Sequence, residues 1–139
     1  MPKSHFLLIP LLVATVGGCG PIQAIQISSA MTEYRQAAPS VRLGDPKDRV
    51  VAILEPTQKN LNARQRKSPD SYLDGNATID IYYFRSGWQS DGLTTDDEFT
   101  PYVFRDGKLI AIGWAALGGP KSQGQAVPQF NVQQHVTVN

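Results

Sequence analysis

Histidine and cysteine, on which many enzymes rely for acid–base and nucleophilic catalysis, are scarce in this 139-residue chain, which has two His and one Cys. Nucleophilic catalysis needs a base beside the nucleophile, yet His135 stands alone near the end of the sequence and His5 lies near its start. Neither a Gly-x-Ser-x-Gly motif nor a phosphate-binding glycine loop is present. The run Asp96-Asp97-Glu98 could contact a cation, but its spacing matches no EF-hand loop, and a solvated loop paired with Arg or Lys is the alternative. We therefore expect a non-catalytic protein without a metal or cofactor.

Cys19 is the residue whose surroundings indicate a definite chemical modification. It is the only cysteine, so a disulfide within the chain is impossible. The preceding Val16, Gly17 and Gly18 resemble the lipobox of bacterial lipoproteins, in which small residues fit the narrow site of the protease that cuts before the cysteine. We expect cleavage between Gly18 and Cys19 and acylation of Cys19, with palmitate among the attached chains. The alternative is an ordinary export signal followed by a free thiol.

Residues 1–18 are typical of an export signal. Lys3 supplies a positive start, and the apolar run 6–16 is about half of the ~20 residues that a membrane-spanning helix needs. Gly20 follows the cysteine at a position where lipoproteins retained in the inner membrane often carry Asp. We therefore expect the lipid to hold the protein at the periplasmic face of the outer membrane.

The net charge argues against a nucleic-acid partner. Loss of Lys3 with the signal leaves 12 basic and 12 acidic side chains, without the basic excess that nucleic-acid binding requires. The charge is nevertheless uneven, because residues 35–67 carry a net +5 and residues 70–106 a net −6. Either the two segments pair with each other in the fold, or one acidic end of the molecule docks on a partner.

Two helices are predicted in the first half of the mature chain. Residues 20–24 are expected to form a tether, followed by a helix over 25–38 with apolar residues at helical spacing. A second helix is expected to begin with Asp45 as its cap and Pro46 in its first turn. Pro56 is expected to end it after about ten residues.

Three strands are predicted in the second half. Residues 57–76 are polar and basic and are expected to form a long loop, and residues 79–88 are rich in β-branched and aromatic side chains. Strands over 99–105 and 108–114 flank Asp106-Gly107, which is the strongest short signal for a β-hairpin. A two-residue turn would make these strands adjacent and antiparallel.

The hairpin register predicts two apolar faces. It places Phe104 opposite Leu109 and Val103 opposite Ile110. A sheet with helices on one side alone should leave its other face wet, so something must cover the second apolar face. The first helix, the C-terminal tail and a partner protein are the candidates. The expected second face comprises Val103, Ile110, Ile112 and Trp114.

Aromatic side chains are the densest feature of the sequence. Half or more of them should pack in the core, and the rest could form a partner-binding surface, since Trp and Tyr dominate binding hot spots. We expect Trp88 and Trp114, both at strand ends, to be exposed anchors. The tail over 118–139 is rich in Gly and Gln and is expected to be flexible, although the alternation from Phe130 onward also fits a strand at a sheet edge.

Three pieces of the chain resemble the SmpA/OmlA family of small, BamE-like envelope lipoproteins. Residues 43–56 resemble the family's opening helix motif, with Glu55 where Gly is usual. Residues 82–85 match its aromatic strand ending in Arg, and residues 104–109 match its hairpin pattern Phe-x-x-Gly-x-Leu. The resemblance covers about residues 40–114. Residues 89–100 and the tail depart from the pattern, so a separate branch of BamE-like proteins is expected.

The resemblance implies an α+β fold, with two helices packed on a three-stranded antiparallel β-meander in the order ααβββ. It implies a lipidated N-terminus with the first helix over 19–39, a BamE-like domain over 40–117 and the tail. It also implies a function in binding, assembling or stabilising another envelope protein. A small periplasmic inhibitor or ligand-binding module is the alternative, and an enzyme is the third.

Overall fold

Two helices and four antiparallel strands make up the part of the chain that the structure, a computed structural model, describes: residues 20–124. The predicted signal, Cys19 and the tail beyond Gly124 lie outside these residues. None of the helices in the described part is long and apolar enough to cross a membrane. The helices are α1 (Gly20–Ala37) and α2 (Lys47–Leu54), and the strands are β1 (Asp70–Asp74), β2 (Ala77–Arg85), β3 (Phe99–Arg105) and β4 (Lys108–Ile112).

Helix α1 begins at Gly20, directly after Cys19, and the expected tether over 20–24 is wrong. Proline is tolerated in a first helical turn because its missing N–H has no partner there, so Pro21 does not delay the helix. The buried stripe of α1 is Ile27, Ala30 and Tyr34. A 3-10 turn over Ala38–Ser40, containing Pro39, ends it.

Helix α2 begins one residue later than predicted, and Asp45 does not cap it. Pro46 stands at the N-cap position in an extended conformation. The Asp45 carboxylate instead accepts hydrogen bonds from the Arg42 backbone N–H at 2.9 Å and from the Arg49 guanidinium. These bonds close the turn that precedes the helix. Leu54 ends α2 and is wholly buried, and a 3-10 turn over Glu55–Gln58 follows it.

The sheet has four strands, in the order β1-β2-β3-β4, rather than the three expected. Residues 57–76 are therefore not one long loop, because their last part is β1, paired with β2 from Asp70↔Ile81 to Asp74↔Ala77. A two-residue turn at Gly75-Asn76 joins the two strands, and Gly75 has the positive φ of 61° that such a turn requires. All five residues of β1 are exposed, so its side chains do not alternate between buried and exposed positions. The α+β class is confirmed.

The β3–β4 hairpin turns at Asp106-Gly107, as predicted. Both residues have positive φ, 48° and 77°, which is the pattern of a type I′ turn. Phe104 lies opposite Leu109, but a bulge beside Phe104 places Val103 opposite Ala111. The expected pairing of Val103 with Ile110 is wrong, because the bulge inserts one extra residue into β4. Tyr102 consequently lies opposite Ile112.

The outer edge of β4 is occupied near its turn by the segment that leads into α2. The Gly44 N–H donates to the Leu109 carbonyl at 2.7 Å, and the Leu109 N–H donates to the Asp45 carbonyl at 2.9 Å. The Lys47 N–H donates to the Gly107 carbonyl at 2.8 Å. This part of β4 therefore has backbone partners on both sides.

The main core lies between the helices and one face of the sheet. Tyr34 of α1 and Tyr102 of β3 meet inside it, with their hydroxyl oxygens 2.9 Å apart in a hydrogen bond. Burial, followed by this hydrogen bond, raises the pKa of the Tyr102 phenol above its usual value. Phe104 and Leu109, which lie opposite each other in the hairpin, both face the helices. The buried members are Tyr34, Val41, Val50, Leu54, Phe84, Tyr102, Phe104 and Leu109.

A second apolar cluster lies on the opposite face of the sheet, and the chain itself covers part of it. Ile79, Ile81 and Val103 are buried there. Leu117 packs against them from a 3-10 turn over Trp114–Leu117, which follows β4. Gly113 and Gly118 flank this turn with φ of 90° and 78°, values that favour glycine. Among the described residues the covering segment is therefore this turn rather than the first helix, and the predicted tail strand from Phe130 lies outside them.

Candidate interaction site

A groove of about 530 Å³ lies on the second face of the sheet, between β1–β2 and the turn after β4. Aromatic and aliphatic side chains form its base, and charged side chains of both signs stand around them. We call it the second-face groove. Its lining residues include Lys67, Asp70, Tyr72, Tyr83, Asp96, Trp114, Leu117 and Lys121.

Trp114 and Tyr83 form the aromatic wall of the second-face groove. Their ring centroids lie 5.7 Å apart with the planes inclined at 28°, and the Trp114 indole N–H donates to the Phe99 carbonyl at 2.8 Å. The Tyr83 hydroxyl donates to the Asp70 carboxylate at 2.7 Å. Partial burial and this bond raise the pKa of Tyr83, so its phenol stays neutral at physiological pH. The wall is therefore held rigidly before any partner arrives.

Lys67 connects the aromatic wall to the acidic run. Its ammonium lies 4.7 Å above the Tyr83 ring centroid and 3.0 Å from the Asp96 carboxylate. Asp96 also accepts a hydrogen bond from the Lys121 backbone N–H. Burial alone would raise the pKa of Asp96, but the bonds from Lys67, Lys121 and Ser122 outweigh it and lower the pKa. Asp96 therefore stays charged and fastens the covering segment to the groove.

A second groove, of about 550 Å³, shares Lys67 and Tyr83 with the first. It runs from this shared wall toward Val51 of α2. Glu55 and Arg66 also line it. The two grooves adjoin at Lys67 and Tyr83 and together present hydrogen-bond donors, acceptors and aromatic faces. This arrangement can contact side chains of a protein partner.

The three carboxylates of the acidic run have separate partners. Asp96 pairs with Lys67, and Glu98 pairs with Arg85 at 3.2 Å. Asp97 accepts from the Thr95 hydroxyl at 2.6 Å, and this bond, with others, lowers its pKa. In the described residues no group of three potential metal ligands comes together. The predicted pairing with Lys or Arg holds for Asp96 and Glu98, but the predicted solvation is wrong for Glu98, which is buried.

Sequence reasoning missed a buried polar network around Arg85 and Glu98, each 1% exposed. The Arg85 Nε donates to the Gln65 carbonyl at 2.9 Å, and the guanidinium lies 5.0 Å from the Phe99 ring centroid. Glu98 accepts the backbone N–H groups of Gln89 and Thr95 at 2.8 and 3.1 Å. The network ties the 86–98 loop to the end of the sheet. The alternation of side chains along β2 was the only sequence signal for this network. It does not show whether the arginine at the end of the strand is buried or exposed.

The structure does not bring the five predicted partner-binding residues onto one surface. Val103 is 5% exposed and packs in the second cluster, so its prediction as a contact residue is wrong. Trp114 is only partly buried and lines the second-face groove. The bulge separates the two isoleucines from this group: Ile110 lies in the bulge, and Ile112 shares a face with Tyr102. Both are exposed, as is Trp88, which lies beside α1 at another cavity.

The uneven charge is partly balanced inside the molecule. Among the ion pairs of the described residues, Lys47–Asp80 at 2.7 Å and Lys67–Asp96 join the basic segment to the acidic one. The remaining pairs lie within one segment or the other. The prediction that the basic segment 35–67 pairs with the acidic segment 70–106 therefore holds for two ion pairs.

Comparison with known proteins yields one family and no individual relative. No curated protein matches the chain, and no solved structure matches it. A family model described as "Protein of unknown function (DUF3192)" matches residues 32–118, from the second half of α1 through the turn after β4. The match spans more than half of the chain, and the chain therefore belongs to the DUF3192 family.

Proposed function

We propose that this protein is a non-catalytic lipoprotein of the outer membrane that binds another envelope protein and assists its assembly or stability. Acylated Cys19 would anchor it on the periplasmic side. We further propose a relationship to the BamE-like fold, in which α1, α2 and β2–β4 correspond to the ααβββ unit and β1 is an addition. The proposed partner is a protein segment rather than nucleic acid.

The second-face groove is the observation that supports this function best. Trp and Tyr side chains supply large, rigid contact areas, and here Tyr83 and Trp114 are already fixed by a stack and two hydrogen bonds. Such preorganisation lowers the entropy that binding must overcome. Lys121 and Tyr72 are exposed around this wall and offer a charge and an apolar ring to the partner.

The polar residues of the groove support binding rather than catalysis. Lys67, Asp96 and Tyr83 are each engaged in hydrogen bonds or ion pairs with other groups of the protein. A general acid or base needs free access to a substrate proton at a pKa near neutrality. The pKa of Asp96 is lowered and the pKa of Tyr83 is raised, so both values move away from neutral pH.

A small periplasmic inhibitor or ligand-binding module remains the second candidate. Its support is the groove volume of about 530 Å³, which lies within the ~300–1,000 Å³ of small-molecule sites. The two candidates differ in the size of what is bound, so one experiment separates them.

Photo-crosslinking in cells tests the proposed function. A benzophenone amino acid placed at Tyr72, which lines the groove, should crosslink to one envelope protein. The same label at Asp48, which is exposed on α2, is the matched control and should not give that product. Crosslinking to a soluble enzyme alone would favour the inhibitor. No difference between the two positions would refute the groove as the binding site.

A further inference from the structure

Helix α1 leaves almost no distance between the proposed anchor and the folded body. Gly20, the residue that follows Cys19 in the sequence, already belongs to this helix. Ile27 and Ala30 of α1 pack on Leu61, which fixes the helix to the rest of the fold. A helix rises about 1.5 Å per residue, so Ile27 lies only about 10 Å above Gly20 along the axis. The face of the domain at the start of α1 is therefore held close to whatever holds Cys19.

Exposed apolar side chains lie at the start of α1 and in the loop after β2. Ile22, on the first turn of α1, is 61% exposed, and Trp88 and Leu93, in the loop after β2, are 43% and 46% exposed. A cavity of about 320 Å³ is lined by Trp88 and Leu93 together with Gln23 and Ile27, which places this loop beside the helix start. Ile25 is also exposed, but it lines a separate depression on another side of α1 with Ser28 and Thr32. We call the three residues Ile22, Trp88 and Leu93 the anchor-side patch.

A basic side chain stands next to the anchor-side patch. Arg64 lines the same cavity as Trp88 and Leu93 and is exposed. It makes no ion pair among the described residues. Its guanidinium is thus available to the phosphate groups of lipids.

We propose that the anchor-side patch rests on the bilayer that holds acylated Cys19, with Trp88 and Leu93 at the interface and Arg64 at the lipid phosphates. This inference rests on the acylation proposed above. Trp is enriched at membrane interfaces, where its ring is apolar and its N–H stays wet. Each apolar contact adds to the affinity supplied by the acyl chains. The second-face groove, on the other face of the sheet from α1, then remains open to the periplasm for a protein partner.

Fluorescence quenching in reconstituted vesicles tests this orientation. The acylated protein is reconstituted into phosphatidylethanolamine–phosphatidylglycerol vesicles whose acyl chains are brominated near the headgroup. Trp114→Phe leaves Trp88 as the only tryptophan, and Trp88→Phe leaves Trp114 as the matched control. We expect bromine to quench Trp88 several-fold more strongly than Trp114. Equal quenching in protein that floats with the vesicles would overturn the inference and leave the anchor intact.

Two further variants separate lipid contact from a change in folding. Leu93→Ser should weaken the quenching of Trp88, whereas Leu73→Ser, which changes an exposed leucine on β1, should not. Arg64→Glu should weaken it only when phosphatidylglycerol is present. Loss of quenching in both leucine variants would overturn the proposed contact. A protein that fails to float with vesicles at all would refute the anchor itself, and this inference with it.

Discussion

Glu98→Gln removes one charge from the buried pair with Arg85 while preserving the size of the side chain. Glu98 accepts hydrogen bonds from the Arg85 guanidinium and from the backbone N–H groups of Gln89 and Thr95. A glutamine has a single acceptor oxygen. Its NH₂ group would therefore face a donor, and the guanidinium would stay buried without a countercharge.

The cost follows from these lost contacts. One charge-assisted hydrogen bond is worth about 1.5–3 kcal/mol, and one buried donor left unsatisfied costs about 1–3 kcal/mol. The sum agrees with the roughly 3–5 kcal/mol observed when a buried ion pair loses one member. With a urea dependence of about 1.5 kcal/mol per M, the midpoint of unfolding should fall by about 2–3 M.

Urea denaturation followed by circular dichroism measures this change. Glu55→Gln is the matched control, because Glu55 pairs with Arg66 at the surface. Its loss should cost no more than about 1 kcal/mol. A double variant, Arg85→Met with Glu98→Gln, should regain part of the lost stability, because it leaves no buried charge and the glutamine oxygen still accepts a backbone N–H. A midpoint for Glu98→Gln no lower than that for Glu55→Gln would refute the argument.

Three further predictions concern Cys19, the turn between β3 and β4, and the ion pair between Lys47 and Asp80. Cys19→Ser should abolish incorporation of labelled palmitate, and label entering the variant would contradict the lipoprotein assignment. Gly107→Val should destabilise the protein by about 1–2 kcal/mol in thermal or urea unfolding, because a β-branched residue resists the φ of 77°; a smaller loss would mean that the turn relaxes. The hydrogen bonds donated by Lys47 and Ser71 lower the pKa of Asp80, and the bond that Lys47 donates to Asp80 raises the pKa of Lys47. Stability should therefore fall as pH drops below about 3.8 and again as it rises past 10.5, and Asp80→Asn should flatten both limbs of a plot of urea midpoint against pH.

The hairpin turn and the end of α1 were predicted correctly because their signals lie in a few neighbouring residues. Asp106-Gly107 specified its hairpin because few residue pairs tolerate two positive φ angles in succession. Pro39 ended its helix for similarly local reasons. Strand β1 escaped detection because every one of its side chains is exposed, which leaves no periodic pattern to find. The bulge at Ile110 escaped because a bulge leaves no residue type as its signature.

The candidate site was harder to predict because it is built from distant segments. Trp114 was identified from its type and its position at a strand end. Lys67 and Asp96, which lie beside it, are 29 residues apart in the sequence, and only the fold brings them together. The burial of Arg85 and Glu98 contradicts the usual exposure of charged residues, so only their mutual geometry could indicate it.

The partner contacts along the outer side of β4 bear on how the sheet can grow. A sheet extends without limit only if each added molecule offers a free edge to the next. Here the segment from Gly44 to Lys47 occupies the turn end of β4, and the bulge at Ile110 distorts the remainder. In the part of the chain that the structure describes, β1 is thus the edge strand open to another backbone, and a second copy that paired with it through its own β1 would cap the sheet. The protein can accept one visiting strand without becoming a template for fibres.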